Sequence, residues 1–63
     1  MDAYEMLEGY PDIMTPAEVM EALGIRRNLL YSLLGSGEIK GKRIRNKIWR
    51  ISKKEIMRYM DES

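Results

Sequence analysis

The hydrophobic and polar positions between residues 14 and 24 predict an amphipathic helix with two defined ends. Thr15 is a favourable N-cap residue, Pro16 suits the first helical position, and Glu18 stands where it completes a capping box. Gly24 is suited to the left-handed conformation that ends many helices. The apolar residues of this helix recur at the spacing i, i+3, i+4: Val19, Ala22 and Leu23.

A second helical pattern follows in the stretch GIRRNLLYSLLGSG, residues 24–37, whose glycines mark both ends. Its start is unusual, because Arg26 stands where a small capping residue is expected and cations are unfavourable at the positive end of a helix. The alternative is that Asn28 is the cap and that the arginines lie in a loop. Leucines form the apolar face of this helix: Leu30, Leu33 and Leu34. Two short helices joined by a turn that contains glycine are typical of a helix-turn-helix.

The pattern changes again in the stretch EIKGKRIRNKIWRI, residues 38–51, where isoleucines are interleaved with Lys and Arg. β-branched residues in such an arrangement predict two strands of a hairpin, with Asn46 taking a positive φ at its tip. Trp49 is expected to anchor the small core. Residues 52–60 then predict a closing helix, with a second capping box formed by Ser52 and Glu55. Its buried side chains are expected to be Ile56, Tyr59 and Met60.

The element order helix, turn, helix, basic hairpin, helix predicts a small α+β domain that contains a helix-turn-helix. Residues 14–63 form the predicted domain and residues 1–13 an acidic N-terminal arm, in which Gly9 and Pro11 interrupt any helix. Two alternatives remain for this arm. Residues 3–7 make a short turn that packs on the domain, or the arm is loose.

The composition excludes several classes of function. The 63 residues contain neither cysteine nor histidine, which excludes disulfides, thiolate nucleophiles and the usual zinc sites. The stretch GSGEIKGK, residues 35–42, lacks the strand, loop and helix context of a phosphate-binding loop. We therefore expect no enzymatic activity, no cofactor and no metal. No apolar run is long enough to span a membrane, and we expect a cytoplasmic protein.

The charges are strongly segregated although the net charge is only +1. Residues 1–25 carry six acidic residues and no Lys or Arg, whereas all eleven Lys and Arg lie between residues 26 and 58. Such segregation indicates a polyanionic partner for the basic part. A solvated charged surface is the alternative explanation.

Three motifs in this order resemble the excisionase family of small winged helix-turn-helix domains, which is related to the DNA-binding domain of MerR-like regulators. They are MTPAEVMEALGI, the leucine-rich second helix ending in GSGEI, and KRIRNKIWRISKKEI. The sequence departs from the family pattern at Arg26, where the family usually has Ser or Thr, and at Leu29, where a short polar residue is usual. The tip Arg45-Asn46-Lys47 also replaces the glycines that are common there.

The resemblance implies that the second helix enters the major groove of duplex DNA and that the hairpin tip enters the adjacent minor groove. Residues at the start of a recognition helix reach base edges, and Arg and Asn make the commonest bidentate contacts to guanine and adenine. Tyr31 either places its hydroxyl on a phosphate or belongs to the core. The basic hairpin either contacts DNA or forms a charged strand edge that prevents aggregation. The candidate DNA-binding residues are Arg26, Arg27, Asn28, Tyr31, Ser32, Lys40, Lys42, Arg43, Arg45, Asn46, Lys47 and Arg50.

By the same resemblance, the expected function is that of an excisionase, or recombination directionality factor, which assists an integrase in excising a mobile element. The implied partners are double-stranded DNA, an integrase or recombinase, and a second copy of the chain in head-to-tail association on DNA. The alternatives are a small transcriptional regulator of the same fold and a protein-interaction module that uses the acidic face.

Overall fold

The computed structural model describes residues 3–62 and shows the predicted α+β arrangement, with two additional short elements near the N-terminus. The elements in chain order are α1 (Ala3–Leu7), β1 (Ile13–Met14), α2 (Pro16–Leu23), α3 (Arg27–Ser36), β2 (Lys42–Ile44), β3 (Ile48–Ser52) and α4 (Lys53–Glu62).

Helix α2 begins and ends as its sequence predicts. The Thr15 Oγ1 accepts a hydrogen bond from the Glu18 backbone N–H at 3.2 Å, and the Glu18 carboxylate accepts one from the Thr15 backbone N–H at 2.9 Å. These two bonds form the predicted capping box. Gly24 has a φ of +66°, which turns the chain sharply toward α3. The helix-turn-helix prediction is confirmed.

The sheet contains three antiparallel strands, with β3 at its centre between β1 and β2. The sequence predicts the hairpin of β2 and β3, and its turn lies at residues 45–47. It does not predict strand β1. This strand is only two residues long, and it exists because Ile13 and Met14 pair with Ser52 and Ile51, which are distant in the sequence.

The core is built from one or more apolar side chains of every element except β2. Its fully or almost fully buried residues are Leu7, Met14, Val19, Leu30, Leu33, Leu34, Ile39, Ile51 and Ile56. Burial of these side chains supplies the main favourable free energy of folding. The predicted burial of the leucine face and of Ile56 is confirmed, whereas Trp49, Tyr59 and Met60 are half-buried against the core.

The N-terminal segment packs against the rest of the chain, in agreement with the first of its two alternatives. Leu7 is fully buried, and α1 contacts α4. The Tyr10 hydroxyl donates to the Glu21 carboxylate at 2.8 Å, and the Tyr10 carbonyl accepts from the Lys53 Nζ at 2.8 Å. Met1, Asp2 and Ser63 lie outside the described residues, and the division of the chain at residue 13 stays a prediction.

The start of α4 differs from the prediction. The Ser52 Oγ accepts a hydrogen bond from the Lys54 backbone N–H at 3.2 Å, so it caps the helix. The Glu55 carboxylate, however, accepts from the Lys40 backbone N–H at 2.9 Å and from the Arg58 Nε at 3.0 Å. The predicted second capping box is therefore wrong, because Glu55 is turned toward the segment that enters the hairpin.

Candidate nucleic-acid interface

The start of α3 exposes the long polar side chains that the sequence singles out. Arg26 is the N-cap residue, with an extended backbone (φ −89°, ψ 163°) and a side chain that makes no capping hydrogen bond to α3. The helix begins at Arg27, so the alternative in which Asn28 is the cap is wrong. Arg26, Arg27 and Asn28 are all exposed at the positive end of the helix dipole.

The outward face of α3 continues from these residues. Arg27 holds its guanidinium 5.5 Å from the centre of the Tyr31 ring, one turn further along the helix. This separation is within the range of a cation–π interaction. Tyr31 is 36% exposed and does not belong to the buried core. Leu29 and Ser32 are exposed as well, whereas the leucine face on the opposite side is buried.

The hairpin tip adopts a tight turn that suits glycine and asparagine better than arginine. The Lys47 backbone N–H donates to the Ile44 carbonyl at 3.1 Å, and the two residues between them have positive φ values, 56° at Arg45 and 54° at Asn46. The predicted positive φ of Asn46 is confirmed. A left-handed conformation at an arginine costs about 1–2 kcal/mol. All three tip residues are exposed.

The cations of the hairpin stem lie on both faces of the sheet. Arg43 pairs with Trp49 across the strands, and its guanidinium lies 5.0 Å from the centre of the indole ring. Lys42 pairs with Arg50 on the other face. The Arg50 Nη1 donates to the Trp49 carbonyl at 3.2 Å, so this guanidinium is partly engaged within the protein.

The hairpin is packed against the end of α3, which connects the two candidate DNA-binding regions. The Ile39 backbone N–H donates to the Leu33 carbonyl at 3.2 Å. A Cβ at Gly41 would lie 2.9 Å from both a Leu34 methyl carbon and the Trp49 ring. A larger residue would therefore have to displace the Trp49 ring and the Leu34 side chain where the chain enters the hairpin.

Helix α4 contacts the segment between α3 and β2, residues 37–41, through hydrogen bonds to its backbone. The Arg58 guanidinium contacts the Glu55 carboxylate and donates to the Glu38 carbonyl at 2.9 Å. The hydrogen bond from Arg58, followed by that from the Lys40 backbone N–H, lowers the pKa of Glu55 to about 2. The same Glu55 contact raises the pKa of Arg58. Lys40 itself is exposed.

Two basic residues outside the candidate set have structural partners. Lys53 donates to the Tyr10 carbonyl and lies 3.9 Å from the Asp12 carboxylate. Arg58 binds the Glu55 and Glu62 carboxylates. The basic residues of the α3 start and the hairpin tip are instead exposed to solvent, which leaves their charges available to a ligand.

The described residues show two further features that bear on function. Within residues 3–62, no group of three carboxylate, thiol or imidazole side chains is arranged to hold a metal ion. No helix in that range is long and apolar enough to cross a membrane.

A family model described as a helix-turn-helix domain matches residues 13–63. This range begins at β1 and contains α2, α3, both strands of the hairpin and α4. No curated protein and no solved structure matches the chain.

Proposed function

Because the chain belongs to the helix-turn-helix domain family, whose members bind DNA, we propose that it reads a specific duplex sequence with α3 and the hairpin. The N-terminal turn of α3 lies in the major groove, where Arg27 and Asn28 reach base edges. The hairpin tip, Arg45 to Lys47, lies in the adjacent minor groove, whose negative potential attracts Arg and Lys.

The observation that carries this proposal is the chemistry of the α3 start. An arginine occupies a cap position with cap-like backbone angles, forms no cap, and is followed by another exposed arginine and an exposed asparagine. A small hydroxyl or carboxamide residue would stabilise the helix better there. The arrangement therefore favours contact with an external polyanion over local stability.

We further propose the role of an excisionase that acts with an integrase, because the motifs around Thr15, Gly37 and Trp49 resemble that family. Such a protein marks or bends the arms of an attachment site and performs no catalysis itself. A transcriptional regulator would use the same DNA contacts. The presence of an integrase gene beside the gene for this chain supports excision, whereas its absence supports regulation.

The DNA-binding proposal is tested by replacing both cations of the hairpin tip, Arg45→Ala with Lys47→Ala, and titrating duplex DNA at several salt concentrations. Affinity for all duplexes should fall, and the slope of log affinity against log salt should flatten by up to about 0.9 for each phosphate that is no longer neutralised. The exchange variant Arg45→Lys with Lys47→Arg retains both charges and should retain the slope.

An unchanged slope in the double alanine variant would mean that the hairpin tip does not meet the DNA backbone. A wild-type chain that does not bind duplex DNA at any of these salt concentrations would contradict the proposal as a whole. In that case the protein-interaction module is the better account.

A further inference from the structure

The outer face of the sheet carries apolar side chains that the core does not use. Side chains alternate between faces along a strand, and residues paired across antiparallel strands share a face. Trp49 and Ile51 face the core, so Ile48 lies on the outer face together with its partner Ile44. Ile44 is 45% exposed and Ile48 is 48% exposed.

This isoleucine pair stands directly beneath the hairpin tip and is surrounded by cations. Arg45 follows Ile44 in the chain, and Lys47 precedes Ile48. Lys42 and Arg50 form the next cross-strand pair on the same face. An exposed apolar pair is unfavourable in water, and four neighbouring positive charges repel basic partners. The ligand that fits this surface is a polyanion that carries its charge at the edges of a groove and has apolar groups within the groove.

The minor groove of duplex DNA has this chemistry, since phosphates line its rims and deoxyribose rings form its walls. Proteins that enter the minor groove frequently insert apolar side chains, isoleucine among them, between base steps and thereby kink the duplex. The tip cations and the isoleucine pair are adjacent, so a tip that reaches the groove brings the pair to its edge.

We propose that Ile44 and Ile48 act as an apolar wedge that enters the minor groove behind the tip and bends the DNA. This inference rests on the proposed DNA-binding function. It adds a change in the shape of the DNA to the contacts between basic side chains and phosphates. The wedge favours sites with a flexible pyrimidine–purine step at the contacted position, because such steps unstack at the lowest cost.

The test is the double variant Ile44→Thr with Ile48→Thr, which removes apolar surface but keeps β-branched residues in the strands. Affinity should fall about tenfold, the scale expected for two side chains of this size losing part of their burial. The salt slope should not change, because the variant has the same charges as the wild type. The DNA bend, measured by energy transfer between dyes at the two duplex ends, should decrease.

Ile13→Thr is the matched control. Ile13 lies on the same outer face and is 55% exposed, but it belongs to the edge strand β1 and pairs with Ser52, away from the tip. Its replacement should leave affinity and bend unchanged. The milder double variant Ile44→Val with Ile48→Val, which retains an apolar face, should give an intermediate loss if the threonine variant disturbs the hairpin.

Wild-type affinity and wild-type bend in the threonine variant would overturn the wedge. If the alanine replacements of Arg45 and Lys47 still flatten the salt slope, the proposed DNA binding stands without it. An equal loss of affinity for Ile13→Thr would also overturn the wedge, since it would indicate that the whole outer face contacts another protein surface.

Discussion

The N-termini of α2 and α3 have almost the same backbone geometry and opposite side-chain chemistry. Thr15 has φ −84° and ψ 162°, and Arg26 has φ −89° and ψ 163°. Thr15 forms a complete capping box with Glu18, whereas Arg26 forms no side-chain cap and α3 has no acidic residue in its first turn. The backbone at Arg26 would accept a serine or threonine, so the missing cap is a property of the residue and not of the fold.

The difference separates a helix whose first turn is stabilised by its own side-chain cap from one whose start exposes two arginines, which we propose contact DNA. The cost at α3 is local, since burial of Leu30, Leu33 and Leu34 holds the helix in place without a cap. The hairpin tip repeats the pattern, because Arg45 adopts a positive φ that glycine would adopt without strain. Both positions give up local stability and expose an arginine.

Among the variants that test this comparison, Arg27→Ala is expected to have the largest effect on DNA affinity. Specific DNA affinity should fall by about 1–3 kcal/mol, because alanine is too short to reach a base or a phosphate. Stability should change little, because alanine suits a helix. Fluorescence anisotropy titrations and thermal melts measure the two quantities.

Tyr31 provides the control for that variant, because its ring lies under the Arg27 guanidinium. Tyr31→Phe retains the ring and removes only the hydroxyl, so any loss of affinity reports a hydroxyl contact with a phosphate and should be smaller than the loss for Arg27→Ala. A large loss of affinity on removal of the hydroxyl alone would show that Tyr31 contacts DNA directly and does not act by holding Arg27.

At the other helix, Thr15→Ala should destabilise the domain by about 1 kcal/mol, because it removes the side-chain acceptor of the capping box. In a chain of this size, the melting temperature should fall by several degrees. Thr15→Ser retains the hydroxyl and should stay close to the wild type. A fall of less than a degree in the alanine variant would mean that the capping box contributes nothing to stability.

The link between α4 and the hairpin predicts a dependence of stability on acid. Because the folded pKa of Glu55, about 2, lies below its ordinary value of 4.5, its contribution is present above that ordinary value and is lost as the pH falls toward 2. Glu55→Gln should lower the melting temperature at neutral pH. Between pH 4.5 and pH 2, the melting temperature of this variant should fall less than that of the wild type. Glu8→Gln, at an exposed position, should retain the wild-type profile. Identical acid profiles for wild type and Glu55→Gln would contradict this assignment.

Local sequence patterns predict the elements whose causes are local. The α2 caps lie within ten residues of each other, and the α3 face follows from leucine spacing. Strand β1 depends on pairing between Met14 and Ile51, which no local pattern reveals. The predicted capping box at Glu55 does not form for the same reason. The Lys40 backbone N–H, fifteen residues earlier in the chain, donates to the Glu55 carboxylate instead.

The candidate site also has some features that local sequence predicts and others that depend on contacts between distant residues. Exposure of the α3 start follows from the position of the leucine face, and the Arg27–Tyr31 contact follows from the i, i+4 spacing. The Arg43–Trp49 contact and the exposed Ile44–Ile48 pair require the strand register. Sequence does not show that Lys53 reaches the carbonyl of Tyr10, which lies 43 residues away.

The most direct test of the central claim is a paired measurement on Arg26→Ser. The substitution supplies a favoured cap and removes a cation from the positive end of α3, so the free protein should gain about 0.5–1 kcal/mol of stability in thermal melts. The same substitution removes a side chain that we propose contacts DNA, so specific affinity should fall by about 1–3 kcal/mol in anisotropy titrations. Stability and affinity should therefore move in opposite directions. Unchanged stability together with equal or tighter DNA binding would contradict the account.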